Sequence, residues 1–401
     1  MMFILQALLS SFLIWCVVIA LAGLVRGGHK ALFSGNAAVS GKLRRFAVVI
    51  CAHDEEAVIG HILQDLADQN YPRTHCHVFV LADHCDDNTV AAARQFERVT
   101  VWERTDGERS SKGAVLNWGM ERILQYRHAF DCVLFFDADN QINREFLADM
   151  NAAFSEGAEI ITARRMSQNP YDSLVSQWYT LYWSVVNVLY NRPRHNLGLS
   201  SILSGTGFAF RMQLLDGKGW TTYSLSEDVE FTFLENLAGH RVAYLHKAAF
   251  YDEQPTRLSV MWTQLRRWCT GDFQIAFRYF PQWLKAFTAA PSWRLWDIFM
   301  GVGMTVCFGL TAVSYLLLFF FMLCQGEIKT LVVLTLLSYL VTIFVGFSAA
   351  RMSGWPVKKL WAGIVTFPVF YSLFSYISLQ SLLFPQKKWV HIEHKSSKRH
   401  F

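Results

Sequence analysis

The sequence predicts an α/β domain with a mostly parallel, Rossmann-like sheet, flanked on both sides by membrane-spanning helices. Two observations lead to this prediction. Between about residues 46 and 251, short β-branched or aromatic runs alternate with segments of helical periodicity, as in strands joined by crossover helices. The two ends of the chain are nearly continuous apolar runs, and hydrophobic residues make up 52% of the 401 residues against 17% charged. One soluble unit and one membrane unit account for both observations.

Strands and helices are expected to alternate along the central segment. The predicted strands lie at residues 46–52, 77–82, 99–103, 132–137, 159–163 and 208–212, and the predicted helices at 55–69, 88–96, 112–126, 143–154 and 229–238. Three early strands end in polar residues, at positions 52–55, 83–87 and 137–140. Ligands of such sheets bind beyond the carboxyl ends of the strands, so a nucleotide site is expected there.

Four apolar runs are long enough to cross a bilayer, at residues 3–24, 296–324, 331–350 and 360–384. A signal peptide is the alternative for the first run, but basic residues follow that run and none precedes it. The positive-inside rule places the N-terminus outside and the next domain in the cytoplasm, as in a multi-pass protein of the plasma (inner) membrane. The basic loop at 351–359 agrees. The basic tail does not, and Pro368 interrupts the last run, so the side of the C-terminus stays open.

These runs divide the chain into five predicted parts. They are an N-terminal transmembrane helix (1–26), a cytoplasmic α/β domain (42–255), amphipathic interface helices (256–290), a C-terminal transmembrane region of about three segments (294–385) and a basic tail (386–401). The formal net charge of +5 favours an anionic membrane surface or an anionic substrate, and no nucleic-acid partner is expected.

Several classes of protein are disfavoured by absent motifs. The eight cysteines form no Cys-x-x-Cys pair and no regular spacing, so neither a zinc site nor a disulfide framework is indicated. The sequence contains no GxxxxGK[ST] or GxGxxG, which argues against a P-loop NTPase and a dinucleotide-binding dehydrogenase, and also no HExxH or GxSxG. The cysteines are expected to be reduced thiols in a cytoplasmic domain.

Asp137 and Asp139 stand at the end of an apolar predicted strand, separated by one residue. In an extended chain, residues two apart point to the same side, so both carboxylates would reach one divalent ion. Mg²⁺ and Mn²⁺ take such oxygen ligands and bridge to diphosphate oxygens. The alternative is a strand end with solvated or capping carboxylates, which is common.

Further motifs occur in a fixed order around this pair. They are VVICAHDEE at 48–56, LADHCDDNT at 81–89, SSKGAVLN at 110–117, LSGTGF at 203–208 followed by Trp220, SED at 226–228 and QLRRW at 264–268. Together they resemble the inverting family 2 glycosyltransferases of the GT-A type, especially processive cellulose, chitin-oligosaccharide, poly-N-acetylglucosamine and hyaluronan synthases. Cys51, His53 and Asp54 depart from the family's usual Pro, Tyr and Asn in the first motif. The resemblance covers nearly the whole chain.

The resemblance implies a nucleotide-sugar site at the strand ends. In such enzymes the first turn holds the uridine, an Asp after the second strand contacts the base or ribose, and a Lys approaches the nucleotide. The matching residues here are Ala52, Asp54, Glu55, Asp83 and Lys112, with Asp137 and Asp139 at the metal. The local alternatives are helix capping for His53, Asp54, Asp86 and Asp87, and a surface position for Lys112.

The resemblance also implies an acceptor site and a catalytic base. Gly205, Thr206 and Gly207 match the acceptor segment, and Trp220 is either an aromatic platform for a sugar or a core residue. Asp228 matches the base that takes a proton from the acceptor hydroxyl, with Glu227 supporting it. The alternative is an N-cap at Ser226 followed by first-turn acids.

Gln264, Arg267 and Trp268 share one helical face in an amphipathic stretch expected in the membrane interface. In the resembling enzymes, these residues contact the nucleotide sugar, and the Trp ring also meets the acceptor. An ordinary interfacial helix with a snorkelling Arg and an anchoring Trp is the alternative.

The predicted reaction is inverting transfer from a UDP-sugar, with Mg²⁺ or Mn²⁺ as cofactor. UDP is inferred from the resemblance. The favoured product is a β-linked polysaccharide extended processively and passed through the membrane segments, with transfer of one sugar to a lipid acceptor as the alternative. Three C-terminal segments form only a small channel, which leaves a place for a second copy or an accessory subunit. A transporter or receptor with an appended α/β domain is a third, non-enzymatic alternative.

Overall fold

The computed structural model describes residues 2–27, 42–107, 112–216 and 218–386, with side chains from residue 9 onward. Contacts divide the chain into two compact units. The catalytic unit contains the described residues between 42 and 168 and between 200 and 253. The helical unit contains the N-terminal helix, residues 169–199 and residues 254–386. The predicted basic tail lies outside the described residues from 387 onward, as do Ser110 and Ser111 of the third motif.

The catalytic unit is built on one eight-stranded sheet of order β3-β2-β1-β4-β7-β6-β8-β5. Its strands are β1 (Phe46–Ala52), β2 (Cys76–Asp83), β3 (Val99–Arg104), β4 (Cys132–Asp137), β5 (Gln141–Ile142), β6 (Ile160–Ser167), β7 (Phe208–Arg211) and β8 (Val242–Asp252). Strands β1 to β4 are mutually parallel, β6 and β8 are also parallel, and β7 runs antiparallel to both β4 and β6. The predicted mostly parallel α/β sheet is confirmed.

Helices cover both faces of this sheet. They are α2 (Ile59–Ala67), α3 (Thr89–Ala93), α4 (Lys112–Ile123), α5 (Phe146–Ser155) and α8 (Glu227–Leu237). In β1, Phe46, Val48 and Ile50 enter one apolar cluster, whereas Ala47 and Val49 enter another, because successive side chains of a strand alternate between its faces. A strand buried on both sides explains its uninterrupted apolar sequence.

The helical unit contains α1 (Met2–Arg26), α6 (Leu174–Val185), α7 (Arg192–Leu197), α9 (Leu258–Ala289), α10 (Trp293–Cys324), α11 (Ile328–Met352) and α12 (Trp361–Leu383). Among the described residues, four helices are long and apolar enough to cross a membrane, namely α1, α10, α11 and α12. Pro368 lies inside α12, which continues through it, so the predicted interruption does not occur. A π-helical turn at residues 186–191 joins α6 to α7.

Two predicted boundaries differ from the structure. Residues 169–199 were expected inside the catalytic domain, but they group with the helical unit. The reason is packing, because Trp178 and Trp183 of α6 join an apolar cluster with Leu265 of α9 and Phe370 of α12. The stretch at 256–290, which was predicted as amphipathic interface helices, is one continuous helix, α9.

Candidate active site

The carboxyl ends of β1, β2 and β4 lie side by side at one edge of the sheet. Ala52 of β1 is in register with Ala82 of β2, and Cys51 with Asp137 of β4. The turns that follow β1 and β2 contain Asp54 and His84, which have φ angles of 53° and 49°. This left-handed conformation is uncommon for residues with side chains and concentrates at functional sites. The predicted nucleotide residues therefore share one edge.

Asp83 is buried at the end of β2 and contacts three neighbours, of which His84 lies 2.9 Å from Asp83 Oδ1 through its Nδ1. Its Oδ1 accepts a hydrogen bond from Arg104 Nη1 at 2.6 Å, and its carbonyl oxygen lies 2.5 Å from His53 Nδ1. Asp54 joins the two turns, since its Oδ1 accepts from the backbone N–H of Asp86 at 2.8 Å. Helix α2 begins only after Val58, so Asp54 serves the turn and does not cap that helix.

Among the described residues, Asp54, Cys85 and Asp87 form a group whose ligand atoms could meet at one ion. The two carboxylates already accept backbone hydrogen bonds. Asp87 Oδ2 accepts from Glu56 N at 3.0 Å, and Asp87 Oδ1 accepts from Thr89 N at 2.9 Å at the start of α3. This arrangement explains the group as hydrogen-bonded support of the two turns. Asn88 and not Asp87 is the N-cap residue of α3, and Asp87 binds the backbone N–H of Thr89 from one position earlier.

Asp137 and Asp139 are not on one extended stretch. Strand β4 ends at Asp137, and the chain turns at residues 138–139, so the assumption that the two side chains point to one side of an extended strand is wrong. Asp139 is buried in the turn, where its Oδ2 accepts from Glu253 N at 3.2 Å and its Oδ1 from Asn140 Nδ2 at 3.1 Å. Asp137 faces Lys112 instead.

Lys112 begins α4 and contacts two elements of the site. Its Nζ donates to Asp137 Oδ1 and, at 2.8 Å, to the carbonyl oxygen of Gly205. Burial alone would lower the pKa of Lys112, but the nearby charges of Asp137 and Glu227 hold this pKa above its ordinary value. The lysine is therefore a charged, largely buried bridge and not the surface residue of the alternative interpretation.

The carboxylates at this edge suit a divalent cation. Burial raises the pKa of Asp252 to about 6, Arg165 opposes this rise, and the charges of Asp139 and Asp137 add to it. Three acids therefore compete in one region, with Lys112 and Arg165 as their contacting cations. Hard cations such as Mg²⁺ and Mn²⁺ take carboxylate oxygens, so Asp137 and Asp139 are ligands of the right type. The three-residue group whose ligand atoms already lie together among the described residues is a different one, Asp54, Cys85 and Asp87.

The predicted acceptor loop, residues 204–207, is anchored to the end of β4. Gly205 and Gly207 have φ angles of 83° and 63°, and a Cβ on Gly207 would collide with the ring of Phe250. Thr206 is fully buried, and its Oγ1 accepts from the backbone N–H of Asp137 at 2.9 Å. A Cβ on Gly205 would lie 3.8 Å from Asp228 Oδ2. The loop therefore reaches from Asp137 to Asp228.

Glu227 and Asp228 open α8 as buried carboxylates, 5% and 9% exposed. Ser226 precedes them at the N-cap position but makes no capping hydrogen bond with its side chain. A simple N-cap with solvated first-turn acids does not describe this site. Glu230, which sequence analysis missed, is fully buried and accepts from the backbone N–H groups of Tyr223 and Ser224 at 2.8 and 2.6 Å. It fixes the chain entering α8.

Trp220 lies in the apolar core. It is 5% exposed, and its ring stacks on Phe210 and Phe231 with centroid distances of 5.9 and 4.7 Å. Both contacts belong to the cluster on one face of the sheet. This packing favours the core interpretation of Trp220 over the aromatic platform.

Gln264, Arg267 and Trp268 lie on α9 in the helical unit. The ring of Trp268 packs against Tyr179, Tyr182 and Trp183 of α6, with centroid distances of 6.0, 6.2 and 5.7 Å. Gln264 Oε1 is buried and has no hydrogen-bond partner among the described residues. This segment of α9 thus packs against α6 within the helical unit. An ordinary helix lying in the membrane interface would not need these contacts.

The mostly parallel sheet, the acidic turns at its carboxyl edge and the two buried acids at the start of α8 are the arrangement expected of a glycosyltransferase with the GT-A fold. The chain belongs to glycosyltransferase family 2, since residues 44–271 match the family model described as "Glycosyltransferase like family 2".

Similar proteins include both lipid and polymer enzymes. A beta-monoglucosyldiacylglycerol synthase from Nostoc sp. is 24% identical over 65% of this chain and 56% of its own length. A poly-beta-1,6-N-acetyl-D-glucosamine synthase from Staphylococcus epidermidis is 20% identical over 59% of this chain and 57% of its own length. The chain thus spans somewhat more than half the length of these relatives.

One solved structure shows the same fold over nearly the whole chain. It is a mannosyltransferase from Pyrobaculum calidifontis in complex with GDP-Man and Mn²⁺, with a TM-score of 0.60 and 16% identity. The match covers 95% of this chain and 99% of that structure.

Proposed function

We propose that the protein is an inverting membrane glycosyltransferase that uses a UDP-sugar donor. The observation that carries this proposal is the chain of contacts from Asp137 through Lys112 to Gly205, beside which lies Asp228. The positive charge of Lys112, proposed to contact the diphosphate, and Asp228, the proposed base for the acceptor hydroxyl, therefore both lie beside Gly205. Asp228 takes the proton of the acceptor hydroxyl while the hydroxyl oxygen attacks the anomeric carbon of the sugar, and UDP leaves.

The donor is assigned to the polar strand ends. Ala52, Asp54 and Glu55 line the turn for the uridine, Asp83 faces the base or ribose, and Lys112 contacts the diphosphate. Asp139 and Asp137 would hold Mg²⁺ or Mn²⁺, which when bound neutralises charge on the departing diphosphate. The proposed roles of Gln264, Arg267 and Trp268 are contacts to the nucleotide sugar and, for Trp268, to the acceptor.

The membrane arrangement follows from the four long apolar helices. Arg26 ends α1, Arg44 and Arg45 follow it, and the loop between α11 and α12 contains Lys358 and Lys359. By the positive-inside rule, these charges support our proposal that the catalytic unit is cytoplasmic and that the protein is a multi-pass component of the plasma (inner) membrane.

Two acceptors fit this site, and we favour a lipid. The relatives named beta-monoglucosyldiacylglycerol synthases match a larger share of this chain than the poly-beta-1,6-N-acetyl-D-glucosamine synthases do. In addition, α6, α9 and α12 bury large aromatic side chains against one another, which leaves less room for a polymer between them. The second candidate is processive synthesis of a β-linked polysaccharide with translocation, which the QLRRW motif supports.

Product size decides between these acceptors. The full chain in lipid nanodiscs is incubated with Mn²⁺ and labelled UDP-glucose or UDP-N-acetylglucosamine, with and without diacylglycerol. A single labelled lipid product supports lipid transfer, and a ladder of products supports the synthase. Absence of transfer from every nucleotide sugar would remove the enzymatic proposal in favour of the transporter or receptor alternative.

Asp228→Asn tests the catalytic base. Because the amide cannot accept the proton, transfer should fall by roughly 10²–10⁴-fold. Stabilisation by Mn²⁺ and UDP in a thermal shift should stay close to that of the wild type. Asp216→Asn, which changes an exposed carboxylate, is the matched control. Near-normal turnover of Asp228→Asn would remove Asp228 from its role.

Asp139→Ala tests the metal site. Mn²⁺ with UDP should raise the melting temperature of the wild type, and EDTA should abolish that rise. The Asp139→Ala variant should show little rise at any Mn²⁺ concentration, because a ligand stabilises only the state that binds it. A full Mn²⁺-dependent shift in this variant would place the ion elsewhere.

A further inference from the structure

Two adjacent carbonyl oxygens of the acceptor loop each accept a hydrogen bond from a different buried cation. Arg165 Nη1 donates to Ser204 O at 2.7 Å, and Lys112 Nζ donates to Gly205 O at 2.8 Å. Arg165 lies on β6 and Lys112 opens α4, so the two cations come from separate elements of the catalytic unit. The loop is therefore held from two sides at successive residues.

Each cation also holds a carboxylate on the side of the predicted donor site. Lys112 contacts Asp137, whereas Arg165 contacts Asp252 Oδ2 through Nη2 and, at 3.0 Å, through Nε. The residue after Asp252 is Glu253, whose backbone N–H donates to Asp139 Oδ2 at 3.2 Å. The two cations thus connect the loop to both carboxylates of the predicted metal site.

The two cations differ in what the donor would do to them. A lysine ammonium is a point charge that can exchange Asp137 for a diphosphate oxygen, as its proposed donor role requires. Arg165 presents several N–H donors in a rigid fork, which here bind an acid and a carbonyl at once. Both members of the Arg165–Asp252 pair are largely buried. Arg165 is the fixed attachment of the loop.

We propose that Arg165 is a positioning residue that couples the donor side of the site to the acceptor loop. It acts through Asp252 on one side and through the Ser204 carbonyl on the other, and it keeps the loop beside Asp228 while Lys112 changes partner. This inference rests on the proposed function for the identity of donor and acceptor. The attachment of the loop itself does not depend on that identity.

Removing the arginine should have effects of opposite sign on the two sides of the site. In Arg165→Gln, one positive charge near Asp139 and Asp137 is lost, so Mn²⁺ should bind as well as in the wild type or more tightly, by up to roughly tenfold. The loop also loses the hydrogen bond that the Arg165 guanidinium donates to Ser204 O. The KM for the acceptor should therefore rise on the order of tenfold, within the usual range of coupling between sites. General damage to the fold would weaken both.

Arg165→Lys separates charge from geometry. The lysine keeps the positive charge but lacks the planar fork that binds Asp252 and Ser204 together. The Mn²⁺ affinity of Arg165→Lys should therefore match that of the wild type. Its hydrogen exchange in residues 200–207 and its acceptor KM should match those of Arg165→Gln. Arg164→Gln is the matched control, because the neighbouring side chain points to the other face of β6 and lies 3.5 Å from His246.

The experiment uses the full chain in nanodiscs and three measurements. Mn²⁺ binding is followed by the electron paramagnetic resonance of the free ion. Hydrogen exchange is followed in peptides covering residues 200–207, with no ligand and with Mn²⁺ plus UDP. The acceptor KM and kcat are measured with the product assay described above. Arg165→Lys serves as the primary variant if Arg165→Gln does not fold.

Faster exchange confined to residues 200–207 in both Arg165 variants, with Mn²⁺ affinity retained and acceptor KM raised, supports the proposal. Exchange equal to that of Arg164→Gln overturns it, as does faster exchange over the whole catalytic unit with loss of Mn²⁺ binding. If the wild type neither binds Mn²⁺ with UDP nor transfers sugar, the proposed function fails. The ligand-free exchange of the loop then still decides whether Arg165 holds it.

Discussion

Two arginine–aspartate pairs with little exposure, one from each unit, differ in where their remaining hydrogen bonds go. In the catalytic unit, Arg165 binds Asp252 and also the carbonyl of Ser204 in the predicted acceptor loop. In the helical unit, Arg194 binds Asp297 through Nε at 2.9 Å and Nη2 at 3.0 Å. The first pair extends into a loop beside the proposed base, and the second remains within its own helices.

The surroundings of Arg194 are closed by aromatic side chains. Its guanidinium carbon lies 3.5 Å from the ring centre of Tyr190, and Asp297 Oδ1 also accepts from Trp15 Nε1 at 2.9 Å. Three helices, α1, α7 and α10, thereby meet at one carboxylate. A closed pair of this kind fixes helix packing, whereas a pair with a bond to a functional loop can influence the reaction. A buried pair alone therefore indicates neither role.

The largest expected effect is that of Arg194→Gln. It leaves the Asp297 carboxylate buried without its cation, which typically costs about 3–5 kcal/mol. Thermal or denaturant unfolding in detergent should show a much larger loss than Arg165→Gln, whose partner Asp252 lies among groups that can bind a cation. The double variant Arg194→Met with Asp297→Leu should recover most of the loss, because it leaves no unpaired charge. Equal losses for Arg194→Gln and Arg165→Gln would remove the distinction between the pairs.

A smaller effect is expected for Trp15→Phe. The change removes the indole N–H that donates to Asp297 and keeps an aromatic ring opposite Trp293, on which Trp15 stacks at 5.6 Å. Hydrogen bonds to charged groups contribute about 1.5–3 kcal/mol, so unfolding in detergent should show a loss near the lower value. Trp293→Phe, which alters the same stack without the hydrogen bond, is the control. A larger loss from Trp293→Phe would assign the stability to stacking.

The contrast between the two pairs also shows how far sequence reasoning reaches. Strands β1 and β4 were predicted with both ends correct, because each is an apolar run that stops at polar residues. The Arg165–Asp252 pair was missed, since its members are 87 residues apart and no local pattern joins them. Strand β8 was missed as well, because His246 and Lys247 interrupt its apolar sequence near the bulge in its pairing with β6.

The site residues divide in the same way. Asp83, Lys112, Asp137 and Asp228 were expected from motifs, and the structure brings them to one edge of the sheet or beside one loop. Their connections depend on backbone atoms of Ser204, Gly205 and Glu253, which the sequence does not reveal because any residue supplies a carbonyl and most an N–H. The sequence could not decide whether Trp220 is an aromatic platform for a sugar or a core residue, because both interpretations require the same side chain.

The smallest expected effect is a dependence of stability on pH that arises in the catalytic unit through Asp252. Its pKa in the folded protein is about 6 against an ordinary value of 3.8, because it is buried beside Asp139 and Asp137. The folded state thus favours the protonated acid. The resulting stabilisation is fully present below about pH 4 and is lost as the pH rises through about 6.

In EDTA, the melting temperature of the wild type should therefore fall slightly between pH 5 and pH 7, and Asp252→Asn should lack this part of the fall. Mn²⁺ should oppose the fall in the wild type, because the cation favours the carboxylates. A slope unchanged by Asp252→Asn would show that folding does not raise the pKa of Asp252, and would weaken the contrast with the closed pair at Arg194.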